Sequence, residues 1–334
     1  MIDSQVLSNN KKRNCAYNKF LLSPTMTVNS MIKLANRLMR KERLHRHFFF
    51  KPTFLERLFG ALYMLPTARY LVFFALDLPH EYHNRLYTDK IITKEEAMTA
   101  IKVVEKRISE RCPVEYITNE CWYLDRKFYV NQNVLVPRSL MSTQFNKFLN
   151  EMTWENNQVL DLCTGSGCIG ITLALLNPAI KVDLADLSAN ALEVAKINID
   201  RYHLQDRVRC IQSDLFANIH NKYDLIITNP PYVASKLIGA GPMELKREPH
   251  MALDGGADGL TLIDKILQQA KSYLTPHGKL IAEVGFTAPK KLKKRYPRIS
   301  KWLSPKPEAG EESIFDFFLY SGDSIFQCDA KDLD

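Results

Sequence analysis

The sequence predicts an α/β fold with a mostly parallel sheet, preceded by a smaller helical domain. From residue 158 onward, short apolar runs rich in β-branched residues alternate with segments of helical periodicity. This alternation is typical of parallel strands joined by crossover helices. The expected strands are 159–163, 181–186, 208–212, 224–228, 279–284 and 313–319, with helices at 169–176, 189–202 and 260–274.

Composition and charge are those of a globular protein with a charged amino-terminal arm. The 334 residues are 46% hydrophobic and 25% charged, enough for one large and one small domain. The formal net charge is +8, and residues 1–60 alone carry twelve Lys and Arg against three Asp and Glu. A basic arm favours contact with an anionic partner such as RNA or a ribonucleoprotein. A solvated, solubilising face is the alternative.

The cysteines and the amino terminus indicate a cytoplasmic protein without a metal site. The seven cysteines form no Cys-x-x-Cys pair, and Cys163 and Cys168 have no His ligands nearby. Polar residues follow Met1, and no signal-peptide pattern appears. The apolar stretch 58–76 is interrupted by Pro66 and Arg69, which favours two short helices over a membrane span.

The remaining segments define the domain organisation. Residues 1–24 are expected to be a disordered basic extension, and 25–112 a helical domain with helices beginning near 28, 55, 68 and 94. Thr93 and Glu96 have the spacing of a capping box. Aromatic and β-branched residues within 113–137 predict a β-hairpin linker with a turn at 124–127. A helix is expected at 142–152, the α/β domain at 138–322 and a tail at 323–334.

A glycine-containing loop after the first strand predicts a cofactor site. Gly165 and Gly167 allow a tight turn and close backbone approach to a ligand. Asp186 ends the second strand, where a carboxylate can accept two ribose hydroxyls. The loop is compatible with NAD or with S-adenosylmethionine. Asp161 favours the latter, because a carboxylate at the loop start holds an amino group and repels a pyrophosphate.

Asp214, just after the third strand, is placed to bind an adenine amino group, with a helix N-cap as the alternative. The full set expected to bind the cofactor is Asp161, Thr164, Gly165, Ser166, Gly167, Cys168, Asp186, Asp214 and Asn229.

The tetrapeptide Asn229-Pro230-Pro231-Tyr232 follows a buried strand and predicts the catalytic site. Two prolines cannot continue a hydrogen-bonded strand, so the chain leaves the sheet there as a rigid, extended segment. Ligands bind at the carboxyl ends of strands in open α/β sheets. The side-chain oxygen of Asn229 and the carbonyl of Pro230 can accept two N–H groups of a planar amide or amine, and Tyr232 can stack on it. The alternative is a proline-rich turn.

Together these motifs resemble those of the class I S-adenosylmethionine-dependent methyltransferases. Further segments, at 113–118, 134–138, 248–249 and 256–260, are similar to those of the HemK/PrmC/PrmB family of protein-glutamine N(5)-methyltransferases. The resemblance implies a Rossmann-like, mostly parallel seven-stranded sheet and the product S-adenosylhomocysteine. It assigns substrate choice to the helical domain, and it makes Arg138, with residues 229–232, a candidate for substrate binding; a structural ion pair is the alternative for Arg138.

Within this family, Thr118, Trp122 and Pro137-Arg138-Ser139 resemble the PrmB branch, which modifies a glutamine of the L-three protein of the large ribosomal subunit. The release-factor branch continues from the arginine with Pro-Asp-Thr-Glu, which is absent here. Leu140 and Thr143 stand where the PrmB branch has proline and glutamate. Class I release factors are therefore the alternative substrate. Adenine N(6) methylation of nucleic acid and a non-catalytic ribosome-assembly role are alternatives of other classes.

Overall fold

A computed structural model describes residues 2–23, 25–44, 67–79, 87–152, 154–241, 243–285, 288–298, 301–302 and 324–333. The chain divides into two compact units, Met1–Thr118 and Asn119–Asp334. The expected helix at 55–65 and the expected strand at 313–319 lie outside the described residues. None of the described helices is long and apolar enough to cross a membrane.

The first unit is helical and has its own apolar core. Its helices are α1 (Ile2–Leu21), α2 (Val28–Leu44), α3 (67–75), α4 (Lys94–Ser109) and α5 (Val114–Thr118). Thr93 accepts a hydrogen bond from the Glu96 amide, and the Glu96 carboxylate accepts one from the Thr93 amide, so the predicted capping box is present. Val28, Met31, Leu71 and Val104 are fully or almost fully buried in this core.

Two expectations for the first unit are wrong. Residues 2–21 form α1 rather than a disordered extension, because Tyr17 is buried in the apolar core of this unit and Arg13 pairs with Glu105 at 3.0 Å. The segment 114–118, expected to be β structure, is helix α5, in which Tyr116 and Ile117 are buried. Tertiary burial of its aromatic and β-branched residues outweighs their strand propensity.

The second unit begins with a β-hairpin and continues as an α/β sheet. The hairpin strands β1 (Glu120–Tyr123) and β2 (Arg126–Tyr129) pair in antiparallel fashion around the predicted turn. The sheet strands are β3 (Gln158–Leu162), β4 (Lys181–Asp186), β5 (Val208–Gln212), β6 (Tyr223–Thr228), β7 (Leu274–Val284), β8 (Lys301–Trp302) and β9 (Ser324–Asp329). The helices of this unit are α6 (Phe145–Glu151), α7 (Cys168–Leu176), α8 (Ala189–Arg201), α9 (Ser235–Ile238), α10 (Thr261–Gln269) and α11 (Ala288–Arg295).

Across the described residues, the sheet has seven strands in the order β5-β4-β3-β6-β7-β9-β8. The first five strands of that order are parallel, and β9 runs antiparallel to both of its neighbours. The prediction of a mostly parallel seven-stranded sheet is therefore confirmed. Apolar clusters cover both faces of this sheet, as expected for strands buried on two sides.

Several boundaries differ from those expected. The carboxyl-terminal segment is not a tail, because residues Ser324–Asp329 form β9, where Ile325 and Phe326 are fully buried. The helix expected at 142–152 is a 3-10 turn (Leu140–Gln144) followed by α6. The helix expected at 260–274 gives way to a 3-10 turn after Gln269. Residues 134–136 form no strand.

Candidate active site

One edge of the sheet brings the sequence-predicted residues together. Leu162 of β3 pairs with Ala185 of β4 and with Thr228 of β6, and Thr228 in turn pairs with Ala282 of β7. The next residue on each strand therefore stands at the same level of the sheet. These residues are, in spatial order, Gln212, Asp186, Cys163, Asn229 and Glu283.

This row places residues predicted to bind the cofactor and to catalyse the reaction at one crevice. Neighbouring strands lie about 4.8 Å apart, so Asp186 and Asn229, two strands apart, are separated by about 10 Å. The crevice lies at the carboxyl ends of parallel strands, next to the point where the strand order reverses between β3 and β6. The register thus explains why residues distant in sequence meet here.

The loop after β3 is built around the buried carboxylate of Asp161. Its Oδ2 atom accepts hydrogen bonds from the Thr164 hydroxyl at 2.6 Å and from the Gly170 amide at 2.9 Å. Its Oδ1 atom is buried and has no partner among the described residues. Burial raises the pKa of this carboxyl to about 7. An unpartnered buried carboxylate oxygen fits the amino group of a ligand.

The two glycines of the loop have the conformations that the sequence required. Gly165 and Gly167 have φ angles of 56° and 80°, in the left-handed region. Space around the Gly165 Cα is open, with no heavy atom within 4 Å of where a Cβ would stand. Gly167 directly precedes α7. The Ser166 hydroxyl oxygen is buried without a partner among the described residues, whereas Cys168 points into the apolar core.

Asp186 connects the second strand to this loop. Its Oδ2 atom accepts a hydrogen bond from the Gly165 amide and its Oδ1 atom accepts one from the Ser188 amide, both at 2.9 Å. Burial raises the pKa of Asp186. Asp214, two residues beyond the end of β5, is exposed and precedes a turn rather than a helix, so it is not a helix N-cap. Its side chain remains available at the β5 end of the crevice.

The tetrapeptide predicted to be catalytic, residues 229–232, leaves β6 at the centre of the crevice. The Asn229 Oδ1 atom is buried and has no hydrogen-bond partner among the described residues. A buried amide oxygen without a partner costs about 1–3 kcal/mol. That cost is offset if a ligand donates an N–H group to it. Pro230 is buried, and Pro231 and Tyr232 are half-buried.

A glycine-rich segment holds the backbone of the tetrapeptide. Val233 donates its amide to the Leu253 carbonyl at 2.9 Å and accepts from the Gly255 amide at 2.8 Å. A Cβ on Gly255 would lie 2.7 Å from the Tyr232 Cα, which is closer than real contacts allow. The segment 253–256 therefore fixes the position of the loop. Glycine is needed at position 255 because the backbone of Tyr232 lies too close for a Cβ atom, and not because of its φ angle.

Arg138 forms an ion pair instead of standing free at the crevice. Its Nη1 atom lies 2.8 and 2.9 Å from the two carboxylate oxygens of Glu248, which is only 8% exposed. Glu248 also accepts the Val136 amide at 3.1 Å. The structural alternative for Arg138 is thus observed, and Glu248 ties residues 136–138 to the segment that follows the tetrapeptide.

The sequence reasoning missed Glu283. This carboxylate is 2% exposed and belongs to the row of residues at the crevice. It accepts hydrogen bonds from the Tyr232 hydroxyl at 3.2 Å and the Ser139 hydroxyl at 2.6 Å. A lone acid among the apolar residues of a buried strand was the signal that could have identified it.

Comparison with known proteins finds a family model that matches part of the second unit. The family model described as "Methyltransferase small domain" matches residues 141–240, which include the cofactor loop and the tetrapeptide. A methyltransferase of known structure from Pyrococcus furiosus is 16% identical, with a TM-score of 0.42 over 61% of this chain and 88% of that chain.

Curated relatives extend the similarity over most of the chain. The ribosomal protein uL3 glutamine methyltransferase of Neisseria gonorrhoeae is 39% identical over 252 residues, covering 74% of this chain and 83% of that protein. The protein of the same name from Francisella tularensis is 39% identical over 223 residues, covering 65% of this chain and 70% of that protein. The resemblance drawn from the motifs is therefore confirmed, and the chain belongs to the family of ribosomal protein uL3 glutamine methyltransferases.

Proposed function

We propose that this enzyme transfers a methyl group from S-adenosylmethionine to the side-chain nitrogen, N(5), of a glutamine in ribosomal protein uL3. The observation that carries the proposal is the buried, unpartnered Oδ1 atom of Asn229 at the carboxyl end of β6. A glutamine carboxamide has the planar N–H donors that this oxygen lacks. The names of the relatives supply the target protein.

The residues of the crevice fit the proposed cofactor. The free Oδ1 atom of Asp161 suits its amino group, and the open side of Gly165 admits it close to the backbone. Asp186 stands where ribose hydroxyls can donate to its carboxylate, and Asp214 suits the adenine amino group. When bound, S-adenosylmethionine supplies an electrophilic methyl group.

The protein must compensate for the low reactivity of the acceptor. A carboxamide nitrogen is a weak nucleophile because its lone pair is delocalised into the carbonyl. In the proposed arrangement, Asn229 Oδ1 and the Pro230 carbonyl each accept one N–H of the substrate, and Tyr232 packs against the amide plane. Holding both N–H groups orients the nitrogen and favours localisation of its lone pair. Orientation and preorganised acceptors of this kind contribute several kcal/mol to catalysis, by order of magnitude.

Further parts of the proposal concern recognition. We assign the choice of protein substrate to the helical unit. The basic residues of its amino-terminal part favour contact with rRNA during or after ribosome assembly. Because the proposed substrate is a ribosomal protein, we propose that the enzyme acts in the cytoplasm.

The direct test is methyl transfer to two purified acceptors, uL3 and a class I release factor, with mass spectrometry of the labelled product. The expected result is one methylated glutamine in uL3 and none in the release factor. Methylation of the release factor alone would replace the proposed substrate. Binding of the cofactor without transfer to either acceptor would favour the nucleic-acid or non-catalytic alternatives.

A further inference from the structure

We infer that Glu283 is the positioning residue that fixes Tyr232 of the catalytic loop against the substrate amide. The inference rests on the proposed function and adds one positioning residue to the proposed active site. Glu283 follows Ala282, which pairs with Thr228 immediately before Asn229. It therefore stands beside the catalytic amide, one strand away, at a distance of about 5 Å between strands.

The contacts of Glu283 divide its two oxygens between two tasks. Oε1 accepts the hydrogen bond from the Tyr232 hydroxyl at 3.2 Å. Oε2 accepts from the Ser139 hydroxyl at 2.6 Å and from the Leu140 amide at 3.1 Å. The two bonds at Oε2 fix the plane of the carboxylate, and the fixed plane determines where Oε1 meets the tyrosine.

Burial makes this arrangement rigid. Glu283 is 2% exposed and Ser139 is 6% exposed, so water has little access to the carboxylate. Hydrogen bonds at low local dielectric are stronger than the same bonds in water. The backbone of Tyr232 is held at its other side by the Gly255 segment. The ring is thus fixed at the Cα and at the hydroxyl, which leaves it little rotational freedom.

A second buried tyrosine–carboxylate pair provides a matched control. Asp183 of β4 is 3% exposed and accepts the Tyr223 hydroxyl at 2.7 Å and the Arg209 Nε at 2.6 Å. Tyr223 begins β6, and Thr228, just before the tetrapeptide, ends it, so this pair lies toward the opposite end of the strand. Removing the Asp183–Tyr223 hydrogen bond should lower the stability of the protein and leave kcat unchanged.

The experiment is a double-mutant cycle in the full chain, with uL3 as acceptor. Tyr232→Phe and Glu283→Leu are each expected to lower kcat by about 10- to 100-fold, with the Kd for S-adenosylmethionine unchanged within about twofold. The double variant is expected to lie within about twofold of Glu283→Leu, because both changes remove one interaction. Asp183→Asn is expected to lower Tm and leave kcat unchanged.

Glu283→Gln provides the conservative comparison. Its carbonyl still accepts from the Leu140 amide, and its amide can hydrogen bond to the Tyr232 hydroxyl, which then acts as acceptor. We expect its kcat to stay within about threefold of the wild type. Tyr232→Phe removes the same hydrogen bond without altering the buried acid, so its kcat still tests the inference if Glu283→Leu does not fold.

Two results would overturn the inference while the proposed function stands. In the first, the fold-loss of kcat in the double variant equals the product of the fold-losses in the two single variants, which would mean that Glu283 acts independently of Tyr232. The other is full kcat in Tyr232→Phe alongside an active wild type. A wild type that methylates no glutamine overturns the proposed function itself, and the role of Glu283 with it.

Discussion

The Gly165 amide donates a hydrogen bond to Asp186 Oδ2 at 2.9 Å, and this bond joins the cofactor loop to the end of the neighbouring strand. Asp186 orders the loop, and in the proposed function the same carboxylate accepts hydrogen bonds from the ribose hydroxyls. Asparagine at this position has only one side-chain oxygen, so it cannot accept hydrogen bonds from both backbone amides and from ribose hydroxyls as well as aspartate does.

Asp186→Asn is expected to weaken S-adenosylmethionine binding by about tenfold or more, because hydrogen bonds to a charged group contribute about 1.5–3 kcal/mol. At saturating cofactor, kcat should fall less. Isothermal titration calorimetry and initial rates measure the two effects. Asp183→Asn, on the same strand but in a structural network, should leave the Kd unchanged. Wild-type affinity in Asp186→Asn would contradict the assignment.

Asp161 predicts a pH dependence of stability. Burial raises the pKa of its carboxyl to about 7 from an ordinary 3.8. The unfolded chain therefore releases this proton at lower pH than the folded enzyme does. The free energy of unfolding of the ligand-free enzyme should fall as pH rises from about 4 to 7, and the contribution of this group is constant above that range. Denaturation by urea at several pH values measures it.

Asp161→Asn should remove the contribution of this carboxyl to that pH dependence, so that effects on stability and on cofactor binding can be measured separately. Its oxygen can accept from Thr164 and Gly170, as Oδ2 does now. We expect the variant to be at least as stable as the wild type at pH 8. Between pH 5.5 and 7, wild-type affinity for the cofactor should rise by up to about tenfold per pH unit, because the charged carboxylate binds the cationic amino group. If the cofactor affinity of Asp161→Asn rose with pH as steeply as that of the wild type, another group would be responsible for the pH dependence.

Asn229→Ala is expected to lower kcat by about 10²- to 10³-fold, the range found when a preorganised catalytic hydrogen-bonding group is removed. The Kd for the cofactor should change by no more than about threefold. Methyl transfer to uL3 and calorimetric titration of S-adenosylmethionine provide the two measurements. Gln212→Ala, in the same row of residues but at the edge strand, is the matched control. Normal turnover by Asn229→Ala would show that its oxygen does not hold the substrate.

Gly255→Ala should displace the catalytic loop. The added Cβ would stand 2.7 Å from the Tyr232 Cα and 2.8 Å from the Pro231 carbonyl oxygen, so the backbone of the tetrapeptide has to move. A shift of about 1 Å is expected to lower kcat by about 100-fold. Gly239→Ala is the control, because no atom lies within 4 Å of its added Cβ. Equal rates for both variants would show that the loop tolerates the displacement.

Arg138→Gln should act mainly on stability. The substitution leaves the carboxylate of Glu248 without its ion-pair partner from Arg138, so Tm should fall by several degrees, as expected for a loss of about 1 kcal/mol. Lys246→Gln, an exposed lysine nearby, should change neither Tm nor turnover. A loss of kcat/KM for uL3 with an unchanged Tm would instead assign Arg138 to substrate binding.

The local sequence patterns determined much of the fold. The strands β4 and β5 lie at the predicted residues, and β3, β6, α7 and α8 are within one residue at each end. These elements are short, have a clear apolar pattern and are bounded by turn residues, so local pattern and tertiary burial agree. The capping box at Thr93 and the turn between β1 and β2 were predictable for the same reason.

Other elements depended on contacts that no local pattern contains. The helix α1 has weak apolar periodicity and is stabilised by burial of Tyr17 against distant helices. The strand β9 belongs to the sheet through its antiparallel pairing with β7 and β8, strands that are distant from it along the chain. Short segments such as 114–118 carry too few residues for their periodicity to distinguish helix from strand.

The residues of the candidate site likewise include some that local sequence predicted and others that only tertiary contacts revealed. The sequence by itself determined which residues make up the candidate site, because Asp161, the loop glycines, Asp186 and the tetrapeptide stand in local motifs with fixed chemical requirements. Only the tertiary structure decided which other groups hold them. Glu248 pairs with Arg138 from 110 residues away, and Glu283 reaches Ser139 across 144 residues. Such partners are selected by strand register and burial, which bring together residues with no relation along the chain.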